Sequence, residues 1–232
     1  MFVLLENGDP VGTAFAVQCE RMDKLITAGH NIHNRKATFA IAPRVEKDAL
    51  GHKIAYGTWR NPKRVEVVDM GSTEEDWAVL RLPAATENTE SIPLCPVNEL
   101  NRIDPTDNFW VYYCPVETFT GVGGIPGVGV NVSAKMHPMF ISIARKEIYL
   151  PVGLWKGCSG GVVVDSKGRA VAIHISSTNT METLEEVTKK SGGDDRSSDV
   201  ESVLNSITST HASYTTSRLI SCCIDLLAAL DR

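Results

Sequence analysis

No cluster of lysine and arginine appears in this chain: 23 basic residues are scattered among 28 acidic ones, for a net charge of −5. That balance leaves no electrostatic footprint for nucleic acid or for an anionic membrane surface. No long apolar run is present either. The nearest, Cys222 to Leu230, holds Asp225 and is far too short to span a bilayer. The opening residues, Met1-Phe2-Val3-Leu4-Leu5-Glu6, have neither a basic start nor a full apolar stretch, so no secretory signal is expected there. The six cysteines show no CxxC and no Cys/His spacing suited to zinc, so no metal and no other cofactor is expected. Their spacing does not repeat, and Cys222 and Cys223 are neighbours, which reads as free thiols in the cytoplasm or another reducing compartment.

What is present is a foldable chain. Its 232 residues, 43% hydrophobic and 22% charged, suffice for one large domain or two small ones with real cores. Short β-like runs dominate. In the first part they cover Val11–Val17, Lys24–Thr27, Ala37–Ala42, His52–Trp59, Arg64–Val68 and Asp76–Leu82. In the second they cover Phe109–Cys114, Val128–Lys135, Phe140–Ala144, Glu147–Val152, Val162–Asp165 and Ala170–Ser176. Many short strands with little helix between them predict an all-β barrel or sandwich. Pro93 to Asn108, rich in Pro, Asn and Asp, reads as a linker between two halves. Residues 178–210 are polar and read as a long surface insertion, with a flap over the site as one option. Leu219, Ile220, Cys223, Leu226, Leu227 and Leu230 share one helical face, which predicts a C-terminal helix over 217–230. The glycine-rich stretch from Gly121 to Gly129 holds Pro126, matches no phosphate-binding fingerprint, and reads as a hairpin loop.

The chemistry concentrates in Lys156-Gly157-Cys158-Ser159-Gly160-Gly161. Glycines on both sides of a serine allow torsions closed to other residues, so the N–H groups of Gly157 and Ser159 can converge on one point. A serine hydroxyl attacks only when a base takes its proton and donors stabilise the oxyanion. The same glycines also suit a plain turn. His30 ends an apolar strand in Thr-Ala-Gly-His, and Asp76 opens one in Glu-Glu-Asp-Trp-Ala-Val-Leu. Each alone has an ordinary structural use; together they supply a base and its orienter.

In order, Gly12–Val17 with Leu25–His30, Asp76–Leu82 and Gly157–Gly161 resemble the chymotrypsin/trypsin-like serine proteases. Ser213–Arg218 is similar to the final strand that leads into their C-terminal helix, so the resemblance covers nearly the whole chain. It implies two six-stranded antiparallel β-barrels followed by a C-terminal α-helix. The expected layout is an N-terminal barrel over 1–98 with His30 and Asp76, a linker over 99–110, and a C-terminal barrel over 111–232 with Ser159. Ser159 would be the nucleophile, His30 the base and then acid, Asp76 its orienter, and the N–H groups of Gly157 and Ser159 the oxyanion hole. Asn31 stands where secreted trypsins carry a disulfide cysteine, and Cys158 where zymogen-type members carry an aspartate. Activation by N-terminal cleavage is therefore not expected. The pattern is nearer to glutamyl-endopeptidase-like, HtrA-like and viral polyprotein-processing members. Cys158 reads as a buried small residue rather than the nucleophile.

For specificity, the run Val171–Ser177 is the expected pocket strand, and His174 stands where related Glu- and Gln-specific enzymes carry a histidine. Leu154, Lys156, Ser177 and Ala212 complete the candidate substrate contacts. Leu154 departs from the threonine those relatives use, so a small apolar preference and a merely structural His174 also remain open. The expected partner is a protein or polyprotein substrate, with the enzyme itself released from a viral polyprotein in one version of this reading. Rival functions are a catalytically silent member acting as a binding or scaffold module, and a hydrolase of small esters.

Overall fold

A computed structural model describes residues 1–19, 23–32, 37–42, 62–82, 91–100, 102–104, 106–114, 131–132, 135–154, 157–179 and 213–232. Among the described residues, six strands build the first half: β1 (Phe2–Glu6), β2 (Asp9–Ala16), β3 (Lys24–Ala28), β4 (Phe39–Ala42), β5 (Lys63–Met70) and β6 (Trp77–Arg81). They pair antiparallel in the order β1-β2-β3-β6-β5-β4, and β4 returns to β1 to close a barrel. The barrel interior is Leu4, Ala16, Leu25, Ile32, Phe39, Ile41, Val65, Ala78 and Leu80. β1 was not expected from the sequence. Its Phe-Val-Leu-Leu run lacks alternation because Leu4 enters the barrel core while Val3 and Leu5 pack outside it against Cys114. The run expected at His52–Trp59 lies outside the described residues.

The second half holds β7 (Phe109–Tyr113), β8 (Asn131–Val132), β9 (Phe140–Ser142), β10 (Glu147–Leu150), β11 (Val162–Asp165), β12 (Ala170–Asn179) and β13 (Ser213–Leu219). These form an antiparallel sheet in the order β8-β7-β11-β12-β13-β10-β9. The all-β, two-part architecture with one C-terminal helix is thus as expected, with a difference in the second part. Among the described residues the short β8, paired with Tyr112 and Tyr113, makes seven strands rather than six, and no ladder joins β8 to β9. The expected linker carries one helical turn, α1 (Val97–Leu100), and β7 already starts at Phe109. Of the insertion expected over 178–210, only residues 178 and 179, the end of β12, fall among the described residues.

The helix predicted over 217–230 begins later. Ser217, Arg218 and Leu219 belong to β13, where they pair with His174, Ile173 and Ala172 of β12. A 3₁₀ turn, Ile220–Cys222, follows, and α2 runs Ile224–Leu230. Leu219, Ile220, Cys223, Leu226 and Leu230 are all buried, so the apolar period is real, but the β12 ladder claims residues 217–219 of the predicted helix. Leu226, Ala229 and Leu230 pack with Trp77 and Val79 of the barrel and Val162 and Ile173 of the sheet, in one core shared by both halves. Burying that face holds the two halves together; each large apolar side chain contributes about 2 kcal/mol.

Candidate active site

The β3–β6 ladder ends by pairing Ala28 with Trp77, which brings the residues just beyond that end, His30 and Asp76, to one rim of the barrel. Gly29–Ile32 is a 3₁₀ turn that lifts the His30 ring out of the barrel end, where it is 47% exposed. Asp76 closes a turn in which the N–H groups of Glu75 and Asp76 both donate to Ser72 O, at 3.1 and 2.9 Å. Its carboxylate then takes two bonds from one residue: His30 N–H donates to Oδ1 at 2.7 Å, and Nδ1 meets Oδ2 at 2.8 Å. An ionised carboxylate can only accept, so Nδ1 carries the proton and Nε2 is left as the basic nitrogen.

Ser159 lies in the turn before β11, with Gly157 at φ +86° and Gly160 at φ +85°. Barrel residues grip this turn from below. Thr13 N–H donates to Ser159 O at 2.8 Å, and Asn31 Nδ2 donates to the same oxygen at 3.0 Å. Thr27 Oγ1 donates to Thr13 O at 2.7 Å and accepts from Asn31 Nδ2 at 3.0 Å. Thr13 Oγ1 accepts from Cys114 N–H at 3.0 Å. Asn31 adjoins His30 in the chain, so one buried side chain ties the His30 turn to the Ser159 turn across the two halves. Cys158 is fully buried among the second half's core residues, facing away from the site.

The Ser159 hydroxyl donates to Ile175 O at 3.0 Å. That carbonyl is free to accept because β12 bulges there: His174 pairs with Ser217 and Ser176 with Thr216, leaving Ile175 over. Among the described residues no hydrogen bond uses the N–H of Gly157 or of Ser159. No group of three or more His, Cys, Asp or Glu side chains among the described residues is arranged to hold a metal.

No protein-family model matches the sequence, and no curated protein does. Solved structures do. The HtrA-type protease AlgW with a decapeptide aligns over 95% of this chain at TM-score 0.53 and 17% identity. Deg5 aligns over 75% at TM-score 0.53 and 14% identity, covering 78% of that chain. The thermostable serine protease AL20, from an extremophilic microorganism, aligns over 75% at TM-score 0.51 and 16% identity, covering 83% of that chain. The fold is that of the chymotrypsin-like serine proteases. The chain spans 51% of the AlgW structure's length.

Within this chymotrypsin-like fold, β12 runs past Ser159 and carries the sequence-predicted specificity residues. His174 is 2% exposed, its backbone laddered to the Ser159 turn through Gly160 N–H to His174 O and His174 N–H to Gly161 O. Nε2 faces the exposed Ser177 Oγ at 3.5 Å, and that oxygen accepts from Leu154 N–H at 3.0 Å. Leu154, Ser177 and His174 therefore meet at one place. Lys156 and Ala212 lie outside the described residues, as do His33, His52 and His211. His174 Nδ1, Thr215 Oγ1 and Ser217 Oγ are buried with no hydrogen-bond partner among the described residues. The sequence drew attention to Asn31 only as a missing cysteine; the roles of Thr13 and Thr27 had no signal beyond their place in apolar strands.

Burial pushes the His174 imidazole down to about 3 from an ordinary 6.5, with the nearby His30 adding to the effect. The unfolded chain therefore binds the proton first, so stability from this group is complete above pH 6.5 and falls as the pH drops toward 3. Chemical denaturation at stepped pH is expected to show that loss, and His174→Gln to show a flatter profile over the same window. Equal profiles for the two proteins would mean that His174 is hydrated and titrates normally.

Proposed function

We propose that this protein is a serine endopeptidase that cleaves peptide bonds through an acyl-enzyme. One observation carries the proposal: His30 is doubly held by Asp76 with Nε2 as its basic nitrogen, while Asn31 beside it holds the turn of Ser159. In the reaction the Ser159 hydroxyl leaves Ile175 O, gives its proton to His30 Nε2, and attacks the scissile carbonyl carbon. Resting hydrogen bonds of this kind often realign only when substrate binds. The oxyanion is taken by the N–H groups of Gly157 and Ser159, where losing one donor costs about 3 kcal/mol. His30 then protonates the leaving amine, and water, deprotonated by the same nitrogen, releases the acid and restores Ser159. Substrates are proteins or a polyprotein, and six cysteines joined by no disulfide accord with a reducing compartment.

We further assign His174 to recognition of a Glu or Gln side chain on the acyl side of the cut. A neutral imidazole donates one N–H to a carboxylate or amide oxygen, and Ser177 supplies an exposed hydroxyl 3.5 Å from His174 Nε2. His174→Ala is expected to lose this preference, by about 10- to 100-fold in relative kcat/KM, in a peptide-library cleavage profile. An unchanged profile would end the assignment. A fluorophosphonate probe tests the chemistry itself: it is expected to label wild type and not Ser159→Ala. A folded wild type that resists labelling would leave the rival reading, a silent binding module.

A further inference from the structure

The turn that carries Asp76 is fastened from the opposite half of the molecule, on residues that have no part in the chemistry above. Asp76 sits at φ +51°, in the left-handed region that costs a non-glycine residue on the order of 1 kcal/mol, so its surroundings must hold it there. The Ser72 turn does part of this from the barrel side. From the sheet side comes Arg218 of β13, which is 8% exposed. Its Nη2 donates to Glu74 O within the Asp76 turn and lies 3.2 Å from Glu147 Oε1. Its Nη1 donates to Arg145 O at 2.6 Å. Lys146 follows in the same turn of the second half: its Nζ reaches Glu75 Oε1 at 3.1 Å, and its carbonyl accepts from Leu219 N–H at 2.8 Å.

We propose that Arg218, assisted by Lys146, is a positioning residue for Asp76, which rests on the reading of His30, Asp76 and Ser159 as a triad. The base–acid pair belongs to the barrel and the nucleophile to the sheet, so their separation depends on contacts between the halves. A planar guanidinium held by two carbonyls and a carboxylate has one geometry, and it passes the position of β13 directly to the Asp76 turn. The neighbouring residue Ser217 pairs with His174, on the strand whose bulge holds the Ser159 hydroxyl. One strand thus references both the acid's turn and the nucleophile's strand. Lys146 and Glu75 are more open to solvent, and their pair is the weaker part of the clamp.

The test is the second-order rate of fluorophosphonate labelling, with melting temperature and far-ultraviolet circular dichroism alongside. A displacement of about 1 Å at the reacting groups costs on the order of 100-fold, and Arg218→Met is expected to label slower by that order while still folding. Arg218→Lys, which keeps a donor for Glu74 O, is expected to recover part of the rate. The discriminating measurement is made in Asp76→Asn: if Arg218 works through Asp76, adding Arg218→Met slows labelling little further. Wild-type labelling by folded Arg218→Met, or a full additional loss in Asp76→Asn, overturns the proposal. Should Arg218→Met fail to fold, Lys146→Met and its combination with Asp76→Asn decide the question by the same non-additivity, at a smaller, few-fold effect. A wild type that is folded but never labelled fails differently, since it removes the triad on which the clamp acts.

Discussion

Ser159→Ala is expected to lose on the order of 10⁴-fold or more in kcat, together with all labelling by a fluorophosphonate, while melting close to wild type. The two halves of that expectation come from different atoms. In the proposed mechanism the hydroxyl is the attacking group, and without it only the proposed oxyanion donors and substrate binding remain to catalyse. The backbone of residue 159 does the structural work, because its carbonyl is the acceptor for Thr13 N–H and Asn31 Nδ2. Alanine keeps that carbonyl. What it forfeits is the bond from the hydroxyl to Ile175 O, about 1 kcal/mol in an intramolecular setting. Activity and stability should therefore separate cleanly when kcat and thermal unfolding are measured on the same preparation. Retention of wild-type turnover in folded Ser159→Ala sinks the assignment of the nucleophile. Cys158 is no substitute, since its side chain is enclosed by core residues of the second half.

The residues that carry the proposed chemistry were legible because each is attached to a strand the sequence announces. Thr27-Ala28 ends β3 just before His30, and Trp77-Ala78-Val79-Leu80 starts β6 just after Asp76. Once these two runs pair, His30 and Asp76 have nowhere to go but together. Ser159 was legible through its glycines, which mark the two left-handed positions the turn requires. The devices that hold this site were not legible. The Ile175 bulge is a register slip between β12 and β13, and no local pattern in Ile-His-Ile-Ser-Ser announces it. Arg218 looks, in sequence, like one polar residue where a final strand gives way to a helix; its meaning comes from Glu74 and Arg145, remote in the chain. The helix itself starts later than its period suggests for the same reason, since Ser217 to Leu219 satisfy both a helical period and a strand's pairing. Local pattern cannot choose between those, and the β12 ladder does.

Gly160→Ala should be the most damaging glycine-to-alanine change among the described residues, costing about 3 to 5 kcal/mol of unfolding free energy. Two penalties add. Residue 160 has φ +85°, which costs a residue with a Cβ about 1 to 2 kcal/mol. The new methyl would also collide with Thr13 O and Thr27 Oγ1 and lie 3.1 Å from Ala28 N. None of these can swing aside. Thr13 O is main chain, Thr27 Oγ1 is bonded to it at 2.7 Å, and both threonines are fully buried beneath the site. Relief must come from moving the Ser159 turn off the barrel, which also breaks the bonds from Thr13 and Asn31 to Ser159 O. Gly168→Ala separates the two penalties, because Gly168 has φ +77° and a methyl added there would meet nothing within 4 Å. That variant should lose only the torsional part, about 1 to 2 kcal/mol by urea denaturation, and keep its activity. If Gly160→Ala unfolds no more easily than Gly168→Ala, the turn is not seated on Thr13 and Thr27, and the barrel does not position Ser159 in the way argued above.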